Sequence, residues 1–237
     1  MIRTEEIVYD CSGLSFTGTI VFDDAAGPRP GVLVAHAFGG KGPVEIAAAE
    51  KLAAMGYVGF AADVYGGGVR ATDREQASAM MRPLNADRAE LLRRLKASQA
   101  AMAAHPAVDA DRLAAIGFCF GGKSVLDMAR GNTGVQAVAS FHGIFDQPQD
   151  PGTDDIAASV LVLHGWDDPL ATPEQTVALG QELTARKADW QILAMGHTGH
   201  AFTNPAAADR DGGSFYEPRS TDRGWAAVTG LLAETFG

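Results

Sequence analysis

The 237-residue chain carries 19 Lys and Arg against 29 Asp and Glu, a net charge of −10. That balance excludes the clustered basic surface on which nucleic-acid binding rests, and no apolar run approaches membrane-spanning length. The length and the 46% hydrophobic content suit one domain over residues 1–237.

In chain order, Glu5–Tyr9 and Leu14–Phe22 read as two strands joined near Cys11-Ser12-Gly13, an antiparallel edge. The run Gly31–His36 reads as a buried strand, Pro43–Met55 as an Ala-rich helix stopping at Gly56, and Tyr57–Ala62 as the next strand. Three consecutive glycines make Val64–Arg70 a loop. Helical patterns follow over Thr72–Met81 and Leu84–Ala104. Next come a strand at Leu113–Gly117, a helix from Lys123, and strands at Val135–Phe141 and Ser159–His164. Pro173–Lys187 is a helix, Trp190–Ala194 a strand, Gly196–Arg219 a long loop and Thr221–Phe236 a closing helix. Alternating strands and helices imply a mostly parallel sheet covered by helices on both faces. In such sheets chemistry sits at the carboxyl ends of the strands.

Cys119 lies in Gly117-Phe-Cys-Phe-Gly-Gly122, between an apolar strand and a helix. That is the G-x-nucleophile-x-G turn of a nucleophile elbow, here with a thiol as the nucleophile. A helix N-terminus favours the thiolate form. Cys11, in its turn, is expected to be a bystander, and two cysteines make no disulfide framework. An acid and a base should follow the nucleophile in the chain. Asp168, in Gly165-Trp-Asp-Asp-Pro169, is preferred to Asp167 as the carboxylate that orients the base. His200, in the loop after the last strand, is preferred as base to His197. The pair His197-x-x-His200 lacks the further ligands of a zinc site, so no metal is expected. The oxyanion donors expected are the backbone N–H groups of Phe120 and Phe38.

The same residues, Gly117–Ser124, also match the phosphate-binding G-x-x-x-x-G-K-S, which makes a nucleotide-binding NTPase the rival reading. Two Phe residues crowd such a loop, and no downstream strand ends in the expected Asp. A non-catalytic binding protein on the same fold is a third reading, which three intact catalytic residues disfavour.

With Cys in the elbow, Asp in Gly-x-x-Asp-Pro and His in His200-Ala-Phe-Thr-Asn-Pro205, the chain resembles the dienelactone hydrolase family of the α/β-hydrolase fold. The likeness runs from Pro30-Gly-Val-Leu-Val-Ala-His36 to the terminal helix. It implies nucleophile Cys119, base His200 and orienting acid Asp168, acting through a thioester acyl-enzyme on a small ester or lactone, with no cofactor. It places His36, Arg74 and Asn204 as substrate contacts. Two positions depart from the family's archetype. Ala37 stands where a glutamate meets the resting thiol, and Asn204 where an arginine grips a carboxylate. The N-terminus lacks the apolar segment of a secretory leader, so a cytoplasmic location is expected. The expected partner is a small-molecule substrate, neither nucleic acid nor membrane.

Overall fold

The computed structural model describes residues 1–25 and 27–237, in two compact units, residues 1–116 and 117–237. In the first unit, β1 (Ile2–Cys11) and β2 (Leu14–Asp23) pair antiparallel, with Cys11 opposite Leu14. Ser12 and Gly13 between them both have positive φ, +52° and +79°. Two such residues twist the turn to match the strands, which is why Gly13 follows Ser12. β2 also pairs antiparallel with β4 (Val58–Ala61), and β4 pairs parallel with β3 (Arg29–Ala35).

Helices cover both faces of these strands. Gly31 is level with Val58, and Val32 with Gly59, so Gly31 and Gly59 point to opposite faces. A side chain at Gly59 would overlap the backbone of Ala49, in α1 (Pro43–Ala54). One at Gly31 would press on Met102, in α3 (Arg88–Ala103), and on Val108 and Leu113 of β5 (Val108–Phe118). Each glycine therefore lets a neighbouring element lie close, α1 on one face and α3 on the other.

α2 (Arg74–Ala86) and α3 meet at Asp87, not at Pro83 as the sequence pattern suggests. Pro83 is accommodated inside α2, and the break comes where Asp87 leaves helical geometry and accepts the Glu90 N–H at 2.9 Å. A capping carboxylate sets this boundary more firmly than the proline does. β5 also begins five residues earlier than expected from its apolar run, because its exposed first half is polar.

The last two residues of β5 open the second unit. There α4 (Phe120–Arg130) starts directly after Cys119, and β6 (Ala137–Phe141), β7 (Ser159–Gly165) and β8 (Trp190–Met195) pair parallel in that order. α5 (Pro173–Ala185) packs on β8, and α6 (Pro218–Phe236) on β6 and β7. The core centres on Phe141, which stacks on Phe118 at 5.0 Å and meets Trp225 at 5.4 Å. The long loop before α6 is not structureless: β9 (Ala208–Asp209) and β10 (Ser214–Phe215) form a small antiparallel hairpin within it.

Candidate active site

Cys119 has φ +55° and ψ −111°, a strained conformation for a residue with a side chain. The flanking glycines make the turn possible. A Cβ at Gly117 would overlap the Gly121 carbonyl, and one at Gly122 would sit 2.8 Å from the Gly143 Cα. The turn is pinned to the end of β6 by the Cys119 N–H, which donates to the Phe141 carbonyl at 3.0 Å. The thiol is thereby held in the N-cap position of α4.

Asp168 and His200 are brought to each other in the same unit. His200 Nδ1 lies 2.7 Å from Asp168 Oδ2, and both side chains are buried. The other Asp168 oxygen accepts the Leu170 N–H at 2.8 Å, which fixes the carboxylate plane. Gly165 lets the His200 loop approach, since a side chain there would overlap the carbonyls of Thr198 and Gly199. The backbone of His200 is tied to the hairpin strand, its N–H to the Gly213 carbonyl at 2.7 Å and its carbonyl to the Phe215 N–H at 3.0 Å. Nε2 has no nitrogen or oxygen partner among the described residues. Burial alone would lower the His200 pKa. Hydrogen bonds and charge from Asp168 and from the Cys119 sulfur outweigh it and raise the value to about 10.

The rejected candidates lie together at the surface. His197 is fully exposed, with its Nδ1 3.9 Å from Asp167. Among the described residues, no three His, Cys, Asp or Glu side chains cluster to hold a metal.

The phosphate-loop reading of Gly117–Ser124 is overturned by where its two key side chains go. Lys123 is buried and ion-paired with Asp146 at 2.5 Å, and the Ser124 hydroxyl donates to the Phe120 carbonyl at 2.7 Å. Both groups needed for phosphate and magnesium are engaged inside the protein.

Of the other residues named from sequence, Phe120 is fully buried at the first position of α4. Asn204 closes a turn, its side chain accepting the Ala206 N–H at 3.0 Å. In the first unit, Arg74 is exposed at the start of α2, and Phe38 is half-buried with its carbonyl accepting the Tyr65 hydroxyl at 2.8 Å. His36 is completely buried, bonded to the Ala37 carbonyl and the Val64 N–H.

Two residues that sequence reading missed stand out. His142 sits just after β6 at φ +38°, its ring edge-on to His200 at 5.1 Å and its Nε2 2.7 Å from the Thr203 hydroxyl. Burial, then the nearby His200 charge, push its pKa well below the ordinary range, so it stays neutral. Its place at a strand's carboxyl end was the available signal. Glu45 is buried at the third position of α1, where Gly42-Pro43-x-Glu45 is a capping pattern.

A model of the dienelactone hydrolase family matches residues 16–236. The chain belongs to the dienelactone hydrolase family. Membership makes it a hydrolase of carboxylic esters or lactones. It is 34% identical to a crystallised dienelactone hydrolase-like promiscuous phosphotriesterase from metagenomic libraries, with a TM-score of 0.95 over all of this chain and 99% of that one. A Yersinia pestis protein named "Putative carboxymethylenebutenolidase" is 27% identical over 86% of this chain and 77% of its own. An acylaminoacyl peptidase at 13% identity, with a TM-score of 0.75, covers 99% of this chain and 42% of its own, and shares the fold alone. The fold class expected of this family, a mostly parallel sheet flanked by helices in the α/β-hydrolase manner, is the one these structures share.

Proposed function

We propose that this dienelactone hydrolase family member hydrolyses a small ester or lactone through Cys119, His200 and Asp168. The observation that carries the reading is the raised proton affinity of His200, shared between a buried carboxylate 2.7 Å away and the elbow sulfur. That arrangement suits a thiolate–imidazolium pair. The thiolate attacks the carbonyl carbon, and the oxyanion rests on the N–H group of Phe120, the residue after the nucleophile. His200 gives its proton to the departing alkoxide, leaving a thioester. It then takes a proton from water, whose oxygen attacks the thioester, and the tetrahedral intermediate collapses to the carboxylic acid and the Cys119 thiolate, which restores the thiolate–imidazolium pair. Asp168 keeps the ring in one tautomer throughout.

Arg74 and Asn204 remain candidates for substrate contacts under this reading. We assign His36 a role in shaping the loop after β3 instead, because its ring is wholly buried. The unbroken family match over residues 16–236 supports one functional domain for the chain. We take the substrate to be a small molecule met in the cytoplasm. No helix among the described residues is long and apolar enough to cross a membrane.

The test is a panel of activated esters, enol lactones, thioesters and a phosphotriester, the last included because of the metagenomic relative. Turnover should vanish in Cys119→Ala and persist in Cys11→Ala. Full activity in Cys119→Ala overturns the proposal.

A further inference from the structure

The His200 ring is held at one nitrogen by Asp168. A single bond at Nδ1 leaves a histidine room to turn, because its last side-chain torsion is broad. A second contact comes from His142, whose ring meets that of His200 edge-on, at 5.1 Å and 67°. Phe202 meets the His142 ring edge-on at 5.1 Å, and the Thr203 hydroxyl lies 2.7 Å from His142 Nε2. Ala201, at φ +56°, bends the chain here, and its carbonyl accepts the Asn204 N–H at 2.9 Å. His200, Phe202 and Thr203 thus all touch one side chain.

His142 itself is fixed to the sheet. It follows β6 directly, and its N–H donates to the Leu163 carbonyl of β7 at 2.9 Å. Its ring lies 6.1 Å from that of Phe118, the residue before the nucleophile. One side chain therefore joins the elbow to the loop that carries the base. Its φ of +38° is strained backbone, which histidine tolerates better than most side chains. The Thr203 hydroxyl donates or accepts, so it suits either tautomer of the neutral ring. Burial and the His200 charge keep that ring neutral, so no second cation abuts the imidazolium.

Packing does not account for the choice of histidine. Nδ1 is buried with no hydrogen-bond partner among the described residues, and such an atom costs stability. An apolar ring would fill the space without that cost, but it could not hold Thr203. We infer that His142, through Thr203, is a positioning residue that holds His200 with its Nε2 toward the Cys119 sulfur. The inference rests on the hydrolytic reading above.

The experiment compares Thr203→Val, Thr203→Ser and His142→Asn in a Cys11→Ala background. It measures kcat and KM on an activated ester, and separately the rate at which iodoacetamide alkylates Cys119 at neutral pH. Alkylation needs the thiolate, which the imidazolium maintains, so it reads the pairing of His200 with the sulfur without any substrate. Thr203→Val keeps the side chain's shape and loses only the hydroxyl. It should lower kcat about ten- to a hundredfold, slow alkylation severalfold and leave KM near wild type. Thr203→Ser restores the hydroxyl and should recover most of both losses. His142→Asn tolerates the positive φ but is too short to reach Thr203. Combined with Thr203→Val it should cost little more than the larger single loss, because both remove one bond. The two Thr203 variants carry the test alone if His142→Asn does not fold. Unchanged kcat in Thr203→Val, a rise in KM alone, or a loss of kcat with alkylation at the wild-type rate overturns the inference. So do equal losses in Thr203→Ser and Thr203→Val, or additive losses in the double variant. Turnover by Cys119→Ala would instead remove the hydrolytic reading beneath it, and alkylation would still report whether His200 is held against the sulfur.

Discussion

Burial should leave His200 a neutral imidazole, yet Asp168 and the Cys119 sulfur raise its pKa to about 10. At neutral pH the ring therefore holds its proton before substrate arrives. Asp168→Asn removes the carboxylate while keeping the side chain's shape, so His200 should titrate lower by NMR and turnover should fall about a thousandfold or more. An unmoved titration would mean that Asp168 does not govern the base. The sign for stability follows from the raised value. The contribution is complete below the ordinary histidine value of 6.5 and is lost as pH rises through about 10. The melting-temperature gap between wild type and Asp168→Asn should accordingly narrow across that window. The strained turn at Cys119 and the pairing of Asp168 with His200 were legible in the sequence because each residue lies in a short motif at a strand's end. His142 was not, since its role depends on Thr203, 61 residues further on. Glu45 was hidden for a related reason: its partner Ala37 is a backbone amide, which no side-chain pattern records.

Strands and helices were legible wherever an apolar period met a clear stop, as in β7 or α5. They were misjudged where a cap or a hairpin decided the boundary, as at Asp87 and in the loop holding β9 and β10. Side-chain ties between helices left no such motif in the sequence. The clearest joins α4 to α5. Arg130 donates to both oxygens of Glu182 at 2.8 Å and to Asp127 at 3.1 Å, with all three side chains buried. Burial raises the Glu182 pKa, but the Arg130 bonds and charge outweigh it and leave it lowered. Its stabilisation is thus present above the ordinary carboxyl value and fades as pH falls through the lower folded one. Glu182→Gln leaves Arg130 short of a counter-charge and should cost about 3 kcal/mol. For a chain this long that is a fall of roughly 6–12 °C in melting temperature, and a calorimetric scan checks it. A loss under about 1 kcal/mol would place the pair with ordinary surface bridges.

Across the whole chain, one-domain folding predicts one cooperative transition. The three tryptophans, Trp166, Trp190 and Trp225, all lie in residues 117–237, whereas both units contribute to far-UV circular dichroism. Urea unfolding followed by tryptophan fluorescence and by circular dichroism should therefore give coincident curves. Separated midpoints would divide the chain into two domains. The hairpin of β9 and β10 bears on how such a protein can diversify. His200 is gripped through Gly213 and Phe215, while the chain from Pro205 to Gly212 is almost wholly exposed. Side-chain changes at its exposed positions leave both of those backbone bonds untouched, so this outer edge can drift in sequence while the base keeps its address.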